Sequence, residues 1–170
     1  MIWAAVVAAG LAAGAWVQGR RQERAVMEAQ RLAQTVGERV RRAREAAARG
    51  ENGRAVEELS EARAALEHAS GGTAQAIYAT VLVELATLRS SLHGDPRGAL
   101  ELLEQAWEVP DLPAALRARV ARDAGALSVL AADLEGARQW YARALEVEPG
   151  DPEAASRLRV LDLAEGDRSP

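Results

Sequence analysis

Residues 132–152 read Ala132-Asp133-Leu134-Glu135-Gly136-Ala137-Arg138-Gln139-Trp140-Tyr141-Ala142-Arg143-Ala144-Leu145-Glu146-Val147-Glu148-Pro149-Gly150-Asp151-Pro152. A polar turn opens the stretch and Pro149-Gly150-Asp151-Pro152 closes it, so start and stop signals frame one helix. Within it Ala137, Tyr141 and Ala144 follow spacings of four and three and share a helical face. The two small residues admit a neighbouring helix, and the large one fills the space between them. The pattern recurs upstream. Ala99, Leu103 and Ala106 follow the turn Gly94-Asp95-Pro96, and Ala55, Leu59 and Ala62 follow Gly50-Glu51-Asn52-Gly53. Such self-similarity is the mark of stacked helical hairpins.

From Ala118 to Asp151 the chain resembles the tetratricopeptide repeat (TPR) family. Gly125 stands where that family places the glycine of its first helix, and Tyr141, Ala144 and Pro149 follow in the family's order. The remaining slots of the family pattern W-x-x-L-G-x-x-Y are held by Ala121, Ala124 and Ser128. In the two upstream copies Thr87 and Ala43 occupy the glycine slot. Pro110 closes the second copy one residue early, and Glu67 stands in the proline slot of the first. The spacing of Ala55, Ala99 and Ala137 exceeds the family period of about 34 residues, which predicts long first helices over 72–92 and 112–132. Thr73 and Asp111 fall in their N-cap regions. The resemblance covers residues 36–164. It implies an all-α, TPR-like α-hairpin solenoid of about three hairpins plus a capping helix over 151–164. In that last helix Ala155, Leu158, Val160, Leu161 and Leu163 are expected mostly along one side.

The resemblance also implies a function. First helices of the family line a concave groove that receives a peptide or protein segment, which would place Val81, Glu84, Leu88, Arg119, Arg122 and Ala126 there, with Arg44 beside them. Arginine forks and small apolar contacts suit an extended, partly acidic ligand. The family's carboxylate-clamping version uses asparagines and lysines. This chain has no lysine and only Asn52, which speaks against capture of a chaperone C-terminus. Trp107 is expected in the core, and Trp140, beside Tyr141, on the outer face as an interface anchor.

Charge divides the chain. Residues 1–19 carry no charged side chain, residues 20–54 are basic, and the remainder is acidic, with a net charge of −4 for the whole. We therefore read 1–19 as a transmembrane anchor, 20–35 as a basic juxtamembrane helix, 36–164 as the repeat domain and 165–170 as a polar tail. Ile2–Val17 is bracketed by Trp3 and Trp16, and would extend about 24 Å as a helix, against about 30 Å of bilayer hydrocarbon. Arg20, Arg21 and Arg24 would meet lipid head groups, and by the positive-inside rule they set the N-terminus outside and the solenoid in the cytoplasm. A cleaved signal peptide ending near Ala13 and Ala15, with a periplasmic body, is the alternative reading, and a buried soluble helix a third. Gly10 and Gly14 form a G-x-x-x-G face for packing against other membrane helices. The Ala29, Ala33, Val36, Val40, Ala43 and Ala47 seam that follows is compatible with a homodimer.

Catalytic patterns are missing. The chain has no cysteine and two histidines, His68 and His93, each near a helix end before glycine. There is no glycine-rich phosphate loop after a strand, and the carboxylate pairs sit at spacings typical of solvated helix faces. Five glutamates interleave the ten arginines of residues 20–54 without an aromatic platform, which disfavours nucleic acid. The sequence thus reads as a non-enzymatic, cofactor-free scaffold, an accessory subunit or assembly factor of a membrane protein complex. The alternative is a periplasmic TPR adaptor in quality control or secretion.

Overall fold

The computed structural model describes residues 26–28, 30–67, 69 and 72–166. Among them lie seven helices: α1 over 30–48, α2 (Asn52–Leu66), α3 (Gly72–His93), α4 (Pro96–Trp107), α5 (Ala114–Leu130), α6 (Leu134–Val147) and α7 (Pro152–Gly166). From α2 onward each helix packs on the next, and α3 also touches α5. Ion pairs tie α1 to α2 through Arg39 and Glu58 and to α3 through Arg44 and Glu84. The hairpins α1–α2, α3–α4 and α5–α6 therefore stack in a row, with α7 packed on α6 at the end.

The repeated residues hold the stack together. Ala55, Ala62, Ala99, Ala106, Ala137 and Ala144 are all fully buried, and between each pair lies a buried Leu59, Leu103 or Tyr141. Tyr141 lies on Gly125, where an added Cβ would come within 2.9 Å of the ring. That close approach is why the position takes glycine in the middle of a helix, where glycine otherwise costs stability. Thr87, in the corresponding slot of α3, is exposed, while Ala86 beside it is buried.

The three hairpin turns are built alike. Gly50, Gly94 and Ala132 each stand five residues before the first repeated alanine, and each has a positive φ, of 75°, 58° and 61°. In the first turn Gly50 N–H donates to Ala47 O and Glu51 N–H to Ala46 O, both at 2.9 Å. In the third Ala132 N–H donates to Val129 O and Asp133 N–H to Ser128 O, so the last carbonyls of the first helix are satisfied by the chain leaving it. The next residue caps the second helix. Asp95 accepts from Gly98 N–H and Asp133 from Gly136 N–H, both at 2.9 Å, whereas Glu51 makes no side-chain cap bond.

Four details depart from expectation. α5 starts at Ala114 with Pro113 at its N-cap. Asp111 lies earlier, in the turn before α5, with φ of 54°. Thr73 sits inside α3, which opens at Gly72. Of the apolar residues of α7, Ala154 and Leu161 are buried, but Val160 and Leu163 are exposed by 61% and 72%. At about 100° per residue they project about 100° and 200° around the helix from Leu161, away from α6. Finally α7 continues to Gly166, beyond the expected end at Ala164.

No helix among the described residues is long and apolar enough to cross a membrane. The expected span at 1–19, with Trp3, Gly10, Gly14 and Trp16, lies outside the described residues, as do Arg20, Arg21, Arg24 and His68.

Candidate groove between the first helices

α1 and α3 run side by side and leave a depression of about 500 Å³ between them. Its floor is apolar. Val36 and Val81 are fully buried at the base, and half-buried Val40 and Ile77 rise on either side. Gly37 opens the wall, since a Cβ added there would meet no atom within 4 Å. Thr80 also lines the groove, but its hydroxyl donates to Ala76 O at 2.8 Å within its own helix, which removes a polar group from the floor.

The rim is charged and internally neutralised. Arg41 meets Glu45 one turn on at 2.6 Å, and Arg44 donates to Glu84 across the groove at 2.7 Å. That hydrogen bond and the charge of Glu84 hold the Arg44 guanidinium above its ordinary pKa. Further along the first helices, Arg119 pairs with Asp123 on its own helix at 3.5 Å. Arg122 reaches Asp151 at 2.6 Å and Glu153 at 3.4 Å, tying α5 to the start of α7. Asp151 is buried, which pushes its carboxyl up. The Ala154 N–H, Arg122 and the Glu153 N–H outweigh that burial and hold it below the usual aspartate range.

The residues expected in the groove therefore divide by role. Val81 is floor. Glu84 and Arg44 form a paired strut, and Arg119 and Arg122 are taken up by neighbouring acids. Leu88 is half-buried and Ala126 exposed. On the α1 side of the groove, Val36 and Val40 had a signal in the sequence, the apolar seam of that helix, and Gly37 between them had none. The seam alone does not separate the residues that bury against α2 from those that face α3. Trp140 requires a correction: it is buried, 7% exposed, and packs edge to face on Trp107 with ring centroids 5.6 Å apart. Trp107 is partly buried and packs against the hydrophobic core, as expected of it. The phase of α6 turns Trp140 toward α4, where two indoles bury more area than one facing water.

No family model matches the sequence, and no curated protein matches it. Among solved structures the chain is similar to the first TPR of Spaghetti (RPAP3), bound to the HSP90 peptide SRMEEVD. The TM-score is 0.60 at 19% identity, over 78% of this chain and 94% of that one. The likeness shows an all-α, TPR-like helical-repeat fold.

Proposed function

We propose that the chain is a non-enzymatic TPR-like scaffold that seats an apolar segment of a partner protein in the groove between α1 and α3. The observation that carries this reading is the opening at Gly37 over a floor of Val36, Val40, Ile77 and Val81, with rim charges already neutralised by one another. Apolar side chains of the partner fill the floor, and the Arg44–Glu84 strut limits where the segment can lie. The structural neighbour holds an acidic peptide. The arginines of this groove, Arg41 and Arg44, are committed to acids of the same chain, and lysine is absent. Apolar contact, rather than a carboxylate clamp, is the mode of recognition that suits it.

The apolar residues 2–17 and the arginines after them support a finer reading. The scaffold is anchored by a single span with its solenoid in the cytoplasm, as an accessory subunit or assembly factor of a membrane protein complex. It acts by raising local concentration and orienting its partner.

The test is Gly37→Leu. The added side chain enters open space on a helix and fills the groove, so the variant keeps or slightly raises its thermal midpoint, helix-interior glycine costing about 0.5–1 kcal/mol. Partners that copurify with the wild-type chain from mild detergent are lost. Retention of the same partners by a folded Gly37→Leu variant overturns the groove reading. Protease added to sealed cells spares the solenoid if the topology is right, and digestion moves the protein to the periplasmic adaptor reading.

A further inference from the structure

A second concavity lies between the second helices of the last two hairpins. About 780 Å³ of space between α4 and α6 is walled by the aromatic rings of Tyr78, Trp107 and Trp140 and edged by Glu101, Glu104 and Glu108. A smaller hollow of about 300 Å³ shares Tyr78, Gln105 and Glu108 with it and extends it to Glu67. Together they form one elongated trough.

Two independent observations bear on what fits there. The first is charge. Glu101, Glu104 and Glu108 recur at helical spacing along one face of α4, are exposed, and carry no ion pair among the described residues. On the first helices Glu45, Glu84 and Asp123 have arginine partners, while Glu38 has none among the described residues. With Glu67, four carboxylates line the trough against one lining cation, Arg143. Two other arginines stand at its edge and are engaged there, Arg63 donating to Gln105 at 3.1 Å and Arg117 to Val109 O at 3.0 Å. The second observation is that these indoles already hold guanidinium groups. Arg143 lies 4.5 Å from the Trp140 centroid and 5.9 Å from that of Trp107, and Arg117 lies 5.3 Å from Trp107. The aromatic faces and the carboxylates thus favour the same ligand sign.

We propose that this trough is a second docking site, for an extended arginine- or lysine-rich segment of a partner protein. Aliphatic stems lie against Tyr78 and Trp107 while the cationic heads reach the α4 carboxylates. Glu101, Glu104 and Glu108 advance about 4.5 Å and then about 6 Å along their helix. Alternate residues of an extended chain are about 6.6 Å apart, so cations at every second position stay within about 3 Å of register with them, a gap that long arginine or lysine stems can span. The site is separate from the groove between α1 and α3, and either can fail without the other.

The test uses a fluorescein-labelled peptide of six Arg-Ala repeats and its Glu-Ala counterpart, with anisotropy read on the full 170-residue chain at low salt. The arginine peptide binds and the glutamate peptide does not. The triple variant E101Q/E104Q/E108Q weakens binding about tenfold, each exposed carboxylate contributing a factor of about two. The control triple E28Q/E38Q/E57Q, which removes three exposed carboxylates outside the trough, weakens it less than threefold. Both triples keep the wild-type far-UV spectrum, because none of the six side chains is buried or paired. Equal loss in the two triples reduces the effect to net charge and overturns the proposal. So does binding of the glutamate peptide, or failure of the arginine peptide to bind.

Discussion

The first and last hairpins have the same skeleton and are held by different physics. In α5–α6 a tyrosine fills a space shaped by glycine, Trp140 extends the contact to Trp107 of α4, and an aspartate caps the second helix. In α1–α2 Leu59 takes the place of Tyr141 and Ala43 that of Gly125, and the cap position holds Glu51, which makes no cap bond. What the first hairpin has instead is charge across its seam. Glu58, only 15% exposed, accepts from Arg39 at 3.2 Å and faces Arg42 Nε at 3.0 Å as an ion pair without hydrogen-bond alignment. Arg39 also bonds Glu61. The same backbone path is thus secured by shape at one end and by electrostatics at the other.

The largest effect expected from this contrast is at Tyr141. Tyr141→Ala opens a cavity over Gly125 and costs about 4 kcal/mol in chemical denaturation, against about 3 kcal/mol for Leu59→Ala in the first hairpin. An equal or greater cost at Leu59 would break the comparison. Next comes the junction of the last hairpin with α7. Asp151 is held below its unfolded pKa, so its contribution is complete above the ordinary aspartate range and disappears as pH falls through the lowered folded value. Asp151→Asn should therefore lower the melting temperature at neutral pH, by about 1–2 kcal/mol of stability, and the difference from wild type should close in acid. Asp123 has the opposite sign, because burial pushes its carboxyl up against the pull of Arg119 and Arg122. The paired difference cancels it.

Glu58→Gln tests the charged seam. It should cost about 1 kcal/mol and lose part of that cost at high salt, whereas the Tyr141 effect should be insensitive to salt. The smallest effect is a gain. Ala132 occupies the left-handed turn position that Gly50 and Gly94 fill elsewhere, so Ala132→Gly should raise stability by about 0.5–1 kcal/mol, read as a higher melting temperature. No gain there would mean that the third turn differs from the other two in more than its residue.

These differences explain what the sequence could and could not disclose. Ala137, Tyr141 and Ala144, and their upstream counterparts, were legible because a close helix approach admits only small residues at fixed spacing. The hairpin order followed from them. The groove was half legible. Val81 and Glu84 fall on the face of α3 that the family resemblance indicates, while Val36 and Val40 sit in a seam whose apolar period serves two neighbours at once, and Gly37 lies outside that seam. The Glu58 ion pairs left no trace, since glutamates and arginines at helical spacing look alike whether they face a partner or water. Trp140 was misplaced because Trp140 and Tyr141 are adjacent, and both find burial when a second indole lies across the helix boundary. In α7 an apolar count without phase suggested one covered side, yet Val160 and Leu163 face outward.

The first helices are also unequal. Counted back from the left-handed residues Gly94 and Ala132, α3 starts at Gly72 and α5 at Ala114, four residues nearer the turn, so α3 overhangs by about 6 Å at its N-terminal end. A row of identical hairpins presents the same surface once per repeat, and a segment laid across it has several equivalent seats one repeat apart. In the scaffold proposed above, the overhang acts as a doorstop: it makes the seat at α3 unlike the seat at α5 and so favours one register of a bound chain. The extra turn that makes it carries Ala74 and Gln75, which help close one end of the trough.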